Sequence, residues 1–461
     1  MTSDSPIEGN PRLPRRRWRI AWLLGIGVLI NYFDRVNLSV SSNALVAAFG
    51  ISDVIFGYLS SAYNWTYAAC QLPIGAILDK LGVRRVGCVG TFLWSVASFG
   101  AAATPSLNGL FAVRFLLGVG EAPTFPANAK AIGMWFPSRE RGLSTALFDG
   151  AAKFASAIGV PLIGGILLMA GWRCSFAFTG AVSFLYFLAF MHFYRDPDED
   201  RGLTERERIY ISEAQPEHAN ACITEHDGSL GGRLFKFLGH FASLLAQRKV
   251  LGLTLGMGAY NYVFYLLLTW LPRYLSNSLH IDLLHSFLYT SVPWLFATCT
   301  DVGIGGWLVD ALIRRGWDAN RVRRVVLIAG TVFGLGIFGA SRAHNALNAL
   351  FWISMSIGGL SAASPVLWAT PALIVGRDDV GKVGGIANFS GQISGIAAPI
   401  ITGYLVSGLR SYFWVFGVAA IYLAIGISGY IFLLGKIEPP SPARGKHSNP
   451  DSSAFSEPGE L

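Results

Sequence analysis

The sequence predicts an all-α protein that crosses a membrane about twelve times, arranged as two halves of six helices. Three observations predict it. Apolar runs recur along most of the chain, basic residues gather in the loops on one side of them, and the two halves repeat each other's motifs. Of 461 residues, 52% are hydrophobic and only 14% charged, with a mean hydropathy of +0.46. A soluble domain could not hold so apolar a surface in water, whereas runs of this length cross a hydrocarbon core of about 30 Å.

In the first half the expected spans are 19–41, 54–78, 86–104, 108–135, 141–169 and 173–194. The second half gives 250–275, 284–309, 323–342, 346–372, 383–408 and 412–435. The chain therefore divides into a short N-terminal segment (1–18), a first bundle (19–195), a polar linker (196–248), a second bundle (249–436) and a Pro- and Ser-rich tail (437–461). The linker contains the charged stretch Thr204–Arg208, which can form a surface helix, and glycines at 228, 231 and 232. The tail has the composition of a disordered segment. Arg15, Arg16 and Arg17 precede the first apolar run as in a signal peptide, but no small-residue cleavage site follows it, so it reads as a retained span.

Orientation follows from charge. One set of loops holds Lys80, Arg84 and Arg85, then Arg139 and Arg141, then Arg314, Arg315, Arg321, Arg323 and Arg324, then Arg377 and Lys382. The opposite set has only isolated cases such as Arg173, Arg273, Arg342 and Arg410. Basic loops stay cytoplasmic, which places both termini inside and requires an even number of spans. The net charge of +8 is thus a membrane-orientation signal, and no nucleic-acid partner is expected. Cys70, Cys88, Cys174, Cys222 and Cys299 show no paired spacing, and the eight His form no metal-binding pattern. No phosphate-binding loop is present, so no cofactor, metal or ATP drive is expected, and no enzyme chemistry. Sequons at Asn37, Asn64 and Asn388 fall in or beside spans and are discarded.

The halves repeat. Gly75-Ala-Ile-Leu-Asp79 closes the second span and Gly306-Trp-Leu-Val-Asp310 the eighth. Pro161-Leu-Ile-Gly-Gly165-Ile-Leu167 in the fifth matches Pro399-Ile-Ile-Thr-Gly403-Tyr-Leu405 in the eleventh. Paired six-span repeats are the build of a rocking secondary transporter.

Residues 75–85, GAILDKLGVRR, resemble the signature loop of the major facilitator superfamily. The resemblance implies a gating role on the cytoplasmic side for Asp79, Arg84 and Arg85, and for Asp310 at the repeat position. Physically, Asp79 can complement a helix N-terminus while the arginines bind carboxylates or carbonyls. Other stretches are similar to the anion:cation symporter family of that superfamily. They are Asn31-Tyr-Phe-Asp-Arg-Val-Asn-Leu-Ser39, Arg114 through Glu121 to Pro126, Trp135-Phe-Pro137 with Glu140-Arg-Gly142, and Gly384-Gly385 with Asn388, Gly391, Ser394, Gly395 and Pro399. That family includes bacterial hexuronate, aldarate and galactonate carriers and vesicular glutamate transporters. The likeness covers residues 19–436 and implies the major facilitator fold.

Ionisable residues inside spans are costly and mark the working site. At about 1.5 Å per residue, Arg35 and Arg114 lie at similar depth, roughly 6–10 Å from the outer face. Two guanidiniums at one level suit a carboxylate; the plain alternative is that Arg35 only neutralises Asp34 or Glu121. Glu121, seven residues after Arg114 on nearly the same face, lies about 10 Å deeper. A carboxyl there is costly to ionise unless an Arg pairs with it, which suits it to carrying protons. The resemblance assigns Asp34 and Glu121 to proton coupling, Arg35 and Arg114 to anion recognition, and Tyr32, Tyr67, Trp368 and Asn388 to the lining of the pocket. In one place the chain departs from the family: Asp149 and Lys153 stand at i and i+4 in the fifth span, where sugar-acid carriers mostly have neutral residues. Lys153 is then either half of a helix ion pair or a third cationic contact for substrate. Asp301 is expected to be structural or gating. Gly150, Gly159, Pro161, Gly391, Gly395 and Pro399 permit close approach and bending.

The expected function is proton-coupled symport of a small organic anion, by a monomer with both termini in the cytoplasm of a bacterium. The alternatives are a carrier or exporter of another solute, and a transporter-like receptor.

Overall fold

The computed structural model describes residues 15–137, 140–213, 239, 242–343, 345–375 and 379–438. Arg139, Arg377, Cys222, the linker glycines at 228, 231 and 232, and the tail beyond Glu438 lie outside them. The described residues are helical, with no strand among them.

The helices are α1 (Arg16–Val40), α2 (Ser42–Phe49), α3 (Asp53–Ala103), α4 (Leu107–Glu121), α5 (Thr124–Trp135) and α6 (Arg141–Phe193) in the first half. A short surface helix, α7 (Glu205–Glu213), falls in the linker. The second half contains α8 (Arg248–Ser278), α9 (Leu283–Thr300), α10 (Val309–Arg314), α11 (Ala319–Gly334), α12 (Ile337–Ala340), α13 (Ala346–Ala369), α14 (Pro371–Ile374), α15 (Val380–Leu409) and α16 (Tyr412–Ser428). A π-helical stretch, Asp301–Leu308, joins α9 to α10, and a second, Gly429–Leu434, extends α16.

Two of these helices are each two crossings. α3 breaks at Gly82 (φ 78°) and α6 at Gly171 (φ 82°), where the backbone enters a region that only glycine occupies without strain. Among the described residues, nine helices are long and apolar enough to span a membrane, or ten if α2 and the start of α3 form one broken span. With α3 and α6 each divided at its glycine and the α4–α5 and α9–α10 pieces joined, the helices group into the two sets of six expected from the sequence. Loop ends are closed by side-chain caps: Ser52 on Ile55 N, Ser106 on Gly109 N, Asp318 on Arg321 N and Asn345 on Asn348 N. Large apolar side chains face outward along the spans, among them Trp22, Met169, Leu185, Phe351 and Phe432. In water this would be an aggregation hazard; in lipid it is the required surface.

Within the first half, Arg17 is buried and bridges Glu140 at 2.8 Å and Glu207 at 3.0 Å, fixing α7 against the ends of α1 and α6. The halves meet through α3 with α15, α6 with α9, and α1 with α8. Close approach of α3 and α15 depends on glycine: a Cβ on Gly57 would lie 2.5 Å from the Pro399 carbonyl oxygen, and one on Gly403 2.6 Å from that of Asp53. At one end of the molecule the halves are tied by Ser39 donating to the Thr269 carbonyl at 2.7 Å, Asn43 to Ser276 at 3.2 Å, and an Asp53–Arg273 ion pair. This is the end opposite the basic loops.

Candidate functional site

Arg35 of α1 and Arg114 of α4 are both buried, at 6% and 3% exposure. They line one small cavity with Ser39, Tyr63 and Asn64 of the first half and Tyr265 and Thr269 of the second. The shared cavity wall places both arginines at the seam between the halves.

Their partners differ. Arg35 Nε donates to Glu121 Oε2 at 2.9 Å, and Glu121 is fully buried. The sequence placed Glu121 well below the arginines, and side-chain direction explains how they meet. Cβ atoms lean toward a helix's own N-terminus. α1 and α4 cross in opposite senses, so Arg35 leans down toward Glu121 while Glu121 leans up toward Arg35. Arg114, on the same helix as Glu121, leans away from it and makes no hydrogen bond or ion pair among the described residues. Its Nε and Nη1 are buried without an acceptor, as is Arg35 Nη2, and Glu121 Oε1 is buried without a donor. Buried charged donors left open are rare and expensive, and an open fork of N–H groups has the chemistry to accept an anion.

The Arg35 guanidinium stands over three tyrosine rings: Tyr32 at 4.7 Å, Tyr63 at 4.8 Å and Tyr67 at 5.4 Å. Arg114 shares Tyr63 at 5.5 Å. These rings hold the cation in place through their faces. Tyr63 was not singled out from the sequence, although it lies one turn before Tyr67 on α3 and faces the same way.

Asp34, although next to Arg35 in sequence, points elsewhere. It accepts from Ser98 at 2.6 Å and Ser183 at 2.8 Å, inside the first half, and has no ion pair among the described residues. Neighbours in a helix are about 100° apart around its axis, so Asp34 and Arg35 face different helices. Of the other expected lining residues, Tyr32 and Tyr67 join the arginines. Asn388 is half-buried on α15 and Trp368 is 44% exposed in the last turn of α13, and neither makes a hydrogen bond or ring contact with the arginine pair. From the second half, Tyr265 reaches the pocket and donates to Gln392 Oε1 at 3.5 Å. Neither was anticipated; both lie on the inner faces of apolar helices, where a polar residue is the signal to look for.

Lys153 is buried at mid-span and lies 2.7 Å from Asp149 Oδ2 and 3.2 Å from Asp301 Oδ2. Asp301 thus joins the pair read from the sequence, from the other half of the molecule. At the basic end, Asp79 pairs with Lys130 of α5 at 2.6 Å and, among the described residues, with no helix N-terminus. Arg84 donates to the Met191 carbonyl at 3.5 Å, while Arg85 and Asp310 are exposed. No group of three or more potential metal ligands occurs among the described residues.

The sequence profile of the Major Facilitator Superfamily matches residues 24–396. An uncharacterised transporter of Bacillus subtilis (strain 168), YybO, is 36% identical over 95% of this chain and 99% of its own length. The D-galactonate transporter of Escherichia coli O6:H1 is 30% identical over 94% of this chain and 99% of its own. The probable galactarate/D-glucarate transporter GarP of Escherichia coli K12 is 29% identical over 92% and 95%. Among solved structures, a bacterial homologue of the lysosomal transporter Spinster, inward-facing and unoccupied, superposes with a TM-score of 0.68 at 16% identity, covering 92% of this chain and 98% of that one. A D-xylose–proton symporter does so at 0.66 and 15%, with the same coverage.

Proposed function

The chain belongs to the Major Facilitator Superfamily, and we propose that this membrane transporter carries a small organic anion, a sugar acid or related carboxylate, together with protons by alternating access. The observation that carries the reading is the Arg35–Arg114 pair, buried at the seam of the two halves with N–H donors unfilled. A carboxylate seated there would complete both forks. Relatives named for galactonate and galactarate/glucarate support the substrate class.

Proton coupling follows from the Arg35–Glu121 bond. An arriving carboxylate competes with Glu121 for Arg35, and a Glu121 that loses its cation inside the membrane is stable only when protonated. Binding of the anion and uptake of a proton are then one event. Asp34, held by two hydroxyls, is a second site where a proton can reside. With the basic loops taken as cytoplasmic, the tied end is the outer one. Both termini are then cytoplasmic, in the inner membrane of a bacterium, and the working unit is the monomer.

In reconstituted vesicles, uptake of a labelled sugar acid driven by an inward proton gradient, accompanied by substrate-dependent proton entry, tests this directly. Screening uronates, aldarates, aldonates and aromatic acids by thermal shift identifies the anion, since ligand binding raises apparent stability. Uptake indifferent to the proton gradient overturns the coupling; stabilisation by neutral solutes alone overturns the anion.

A further inference from the structure

The Lys153 ammonium sits between two carboxylates that belong to different halves. Asp149 lies one turn earlier on α6, in the same helix, while Asp301 opens the π-helical stretch after α9 in the second half. The Lys153 side chain is 3% exposed, that of Asp301 4% and that of Asp149 23%. Tyr260 of α8 and Tyr32 of α1 also face the cluster, and neither brings a cation. Fully ionised, the cluster carries one negative charge more than it carries positive.

The two carboxylates are not equivalent. Asp149 and Lys153 remain together whatever the halves do. Asp301 Oδ2 has its ion pair across the interface, and Oδ1 is buried without a hydrogen-bond donor. If the halves part at this level, the first keeps a neutral Asp149–Lys153 pair and the second keeps a lone carboxylate in the membrane. That state is the expensive one. Asp301 opens a π-helical stretch, and π-helical turns occur frequently at functional sites.

We propose that Asp301 is a proton-binding site whose occupancy releases the two halves from each other. A proton added at Asp301 Oδ1 neutralises the carboxylate and weakens its bond to Lys153. The second half can then move away carrying a neutral acid. When the halves close again, Lys153 returns to Asp301 and the proton leaves. The inference rests on alternating access between the halves, as proposed above, but not on what the arginine pair binds.

The test is a distance measurement made without substrate. Spin labels on Leu143→Cys and Arg314→Cys, at the basic ends of α6 and α10, report the separation of the halves in a background freed of native cysteines. In the otherwise unsubstituted protein the distance distribution is expected to shift as pH falls through the range in which buried carboxyls gain a proton. Asp301→Asn should hold one distribution at every pH. Asp149→Asn leaves a balanced Lys153–Asp301 pair, keeps the linked form and should displace the response to lower pH. A pH response in Asp301→Asn equal to that of the parent, or no response in the parent, overturns the proposal. Should Asp301→Asn not fold, Asp149→Asn decides: a displaced response supports the site and an unmoved one overturns it. Anion binding measured on the same samples tests the arginine pair separately, so one reading can fail while the other stands.

Discussion

Arg114→Ala should separate stability from function. In most proteins, truncating a buried Arg strands a carboxylate and costs about 3–5 kcal/mol. Arg114 has no such partner: its Nε and Nη1 are buried without acceptors, and its contact is the Tyr63 face at 5.5 Å. Removing it takes an uncompensated charge out of the membrane and strands nothing. The folded protein should therefore be as stable as the parent, or more so. Binding should behave in the opposite way. Two open N–H donors to a carboxylate, at about 1.5–3 kcal/mol for each charged hydrogen bond, put the loss at about 3–6 kcal/mol. That is a weakening of roughly a hundredfold to ten-thousandfold in Kd. Thermal unfolding in detergent and equilibrium binding of a labelled sugar acid, measured on one preparation, give both quantities. Arg35→Ala is the control, because it strands Glu121 and should unfold more readily. An Arg114→Ala protein that is markedly destabilised yet binds the anion as tightly as the parent would refute this account.

Glu121→Gln keeps a hydrogen-bonding side chain for Arg35 but cannot exchange a proton. Counterflow of labelled substrate should persist while accumulation driven by a pH gradient disappears; surviving gradient-driven accumulation removes Glu121 from coupling. Lys153→Gln strands two carboxylates, Asp149 and Asp301, and should fold poorly by about 3–5 kcal/mol. The pair change with Asp149→Asn still leaves Asp301 alone, so recovery of yield and melting temperature should need Asp301→Asn as a third change. Full recovery in the double variant would show that Asp301 is not an ionic partner. Gly57→Ala places a methyl group 2.5 Å from the Pro399 carbonyl oxygen, which is backbone and cannot swing aside. The α3–α15 contact should open at a cost of about 1–3 kcal/mol, slowing transport with little change in anion affinity; a parent-like transport rate would contradict that packing.

Much of this protein was legible in its sequence because lipid imposes strong rules on a chain. Apolar run length set the spans, and the repeated Gly–Asp and Pro–Gly motifs the two halves. The costly residues within the spans (Arg35, Arg114, Glu121, Lys153) stood out for the same reason: nothing apolar explains them. What the sequence could not supply is which charge meets which. Asp34 and Arg35 are adjacent in the chain, yet one faces Ser98 and Ser183 and the other faces Glu121. Lys153 finds Asp301 from the opposite half. Such pairings depend on rotation about each helix axis and on the lean of side chains in antiparallel crossings. Burial and cost are properties of a residue and its run, so the sequence by itself determined the spans and the charges that must do something. Partnership is a property of the packed helices, and only the tertiary structure decided that Arg114 is left open while Arg35 is paired.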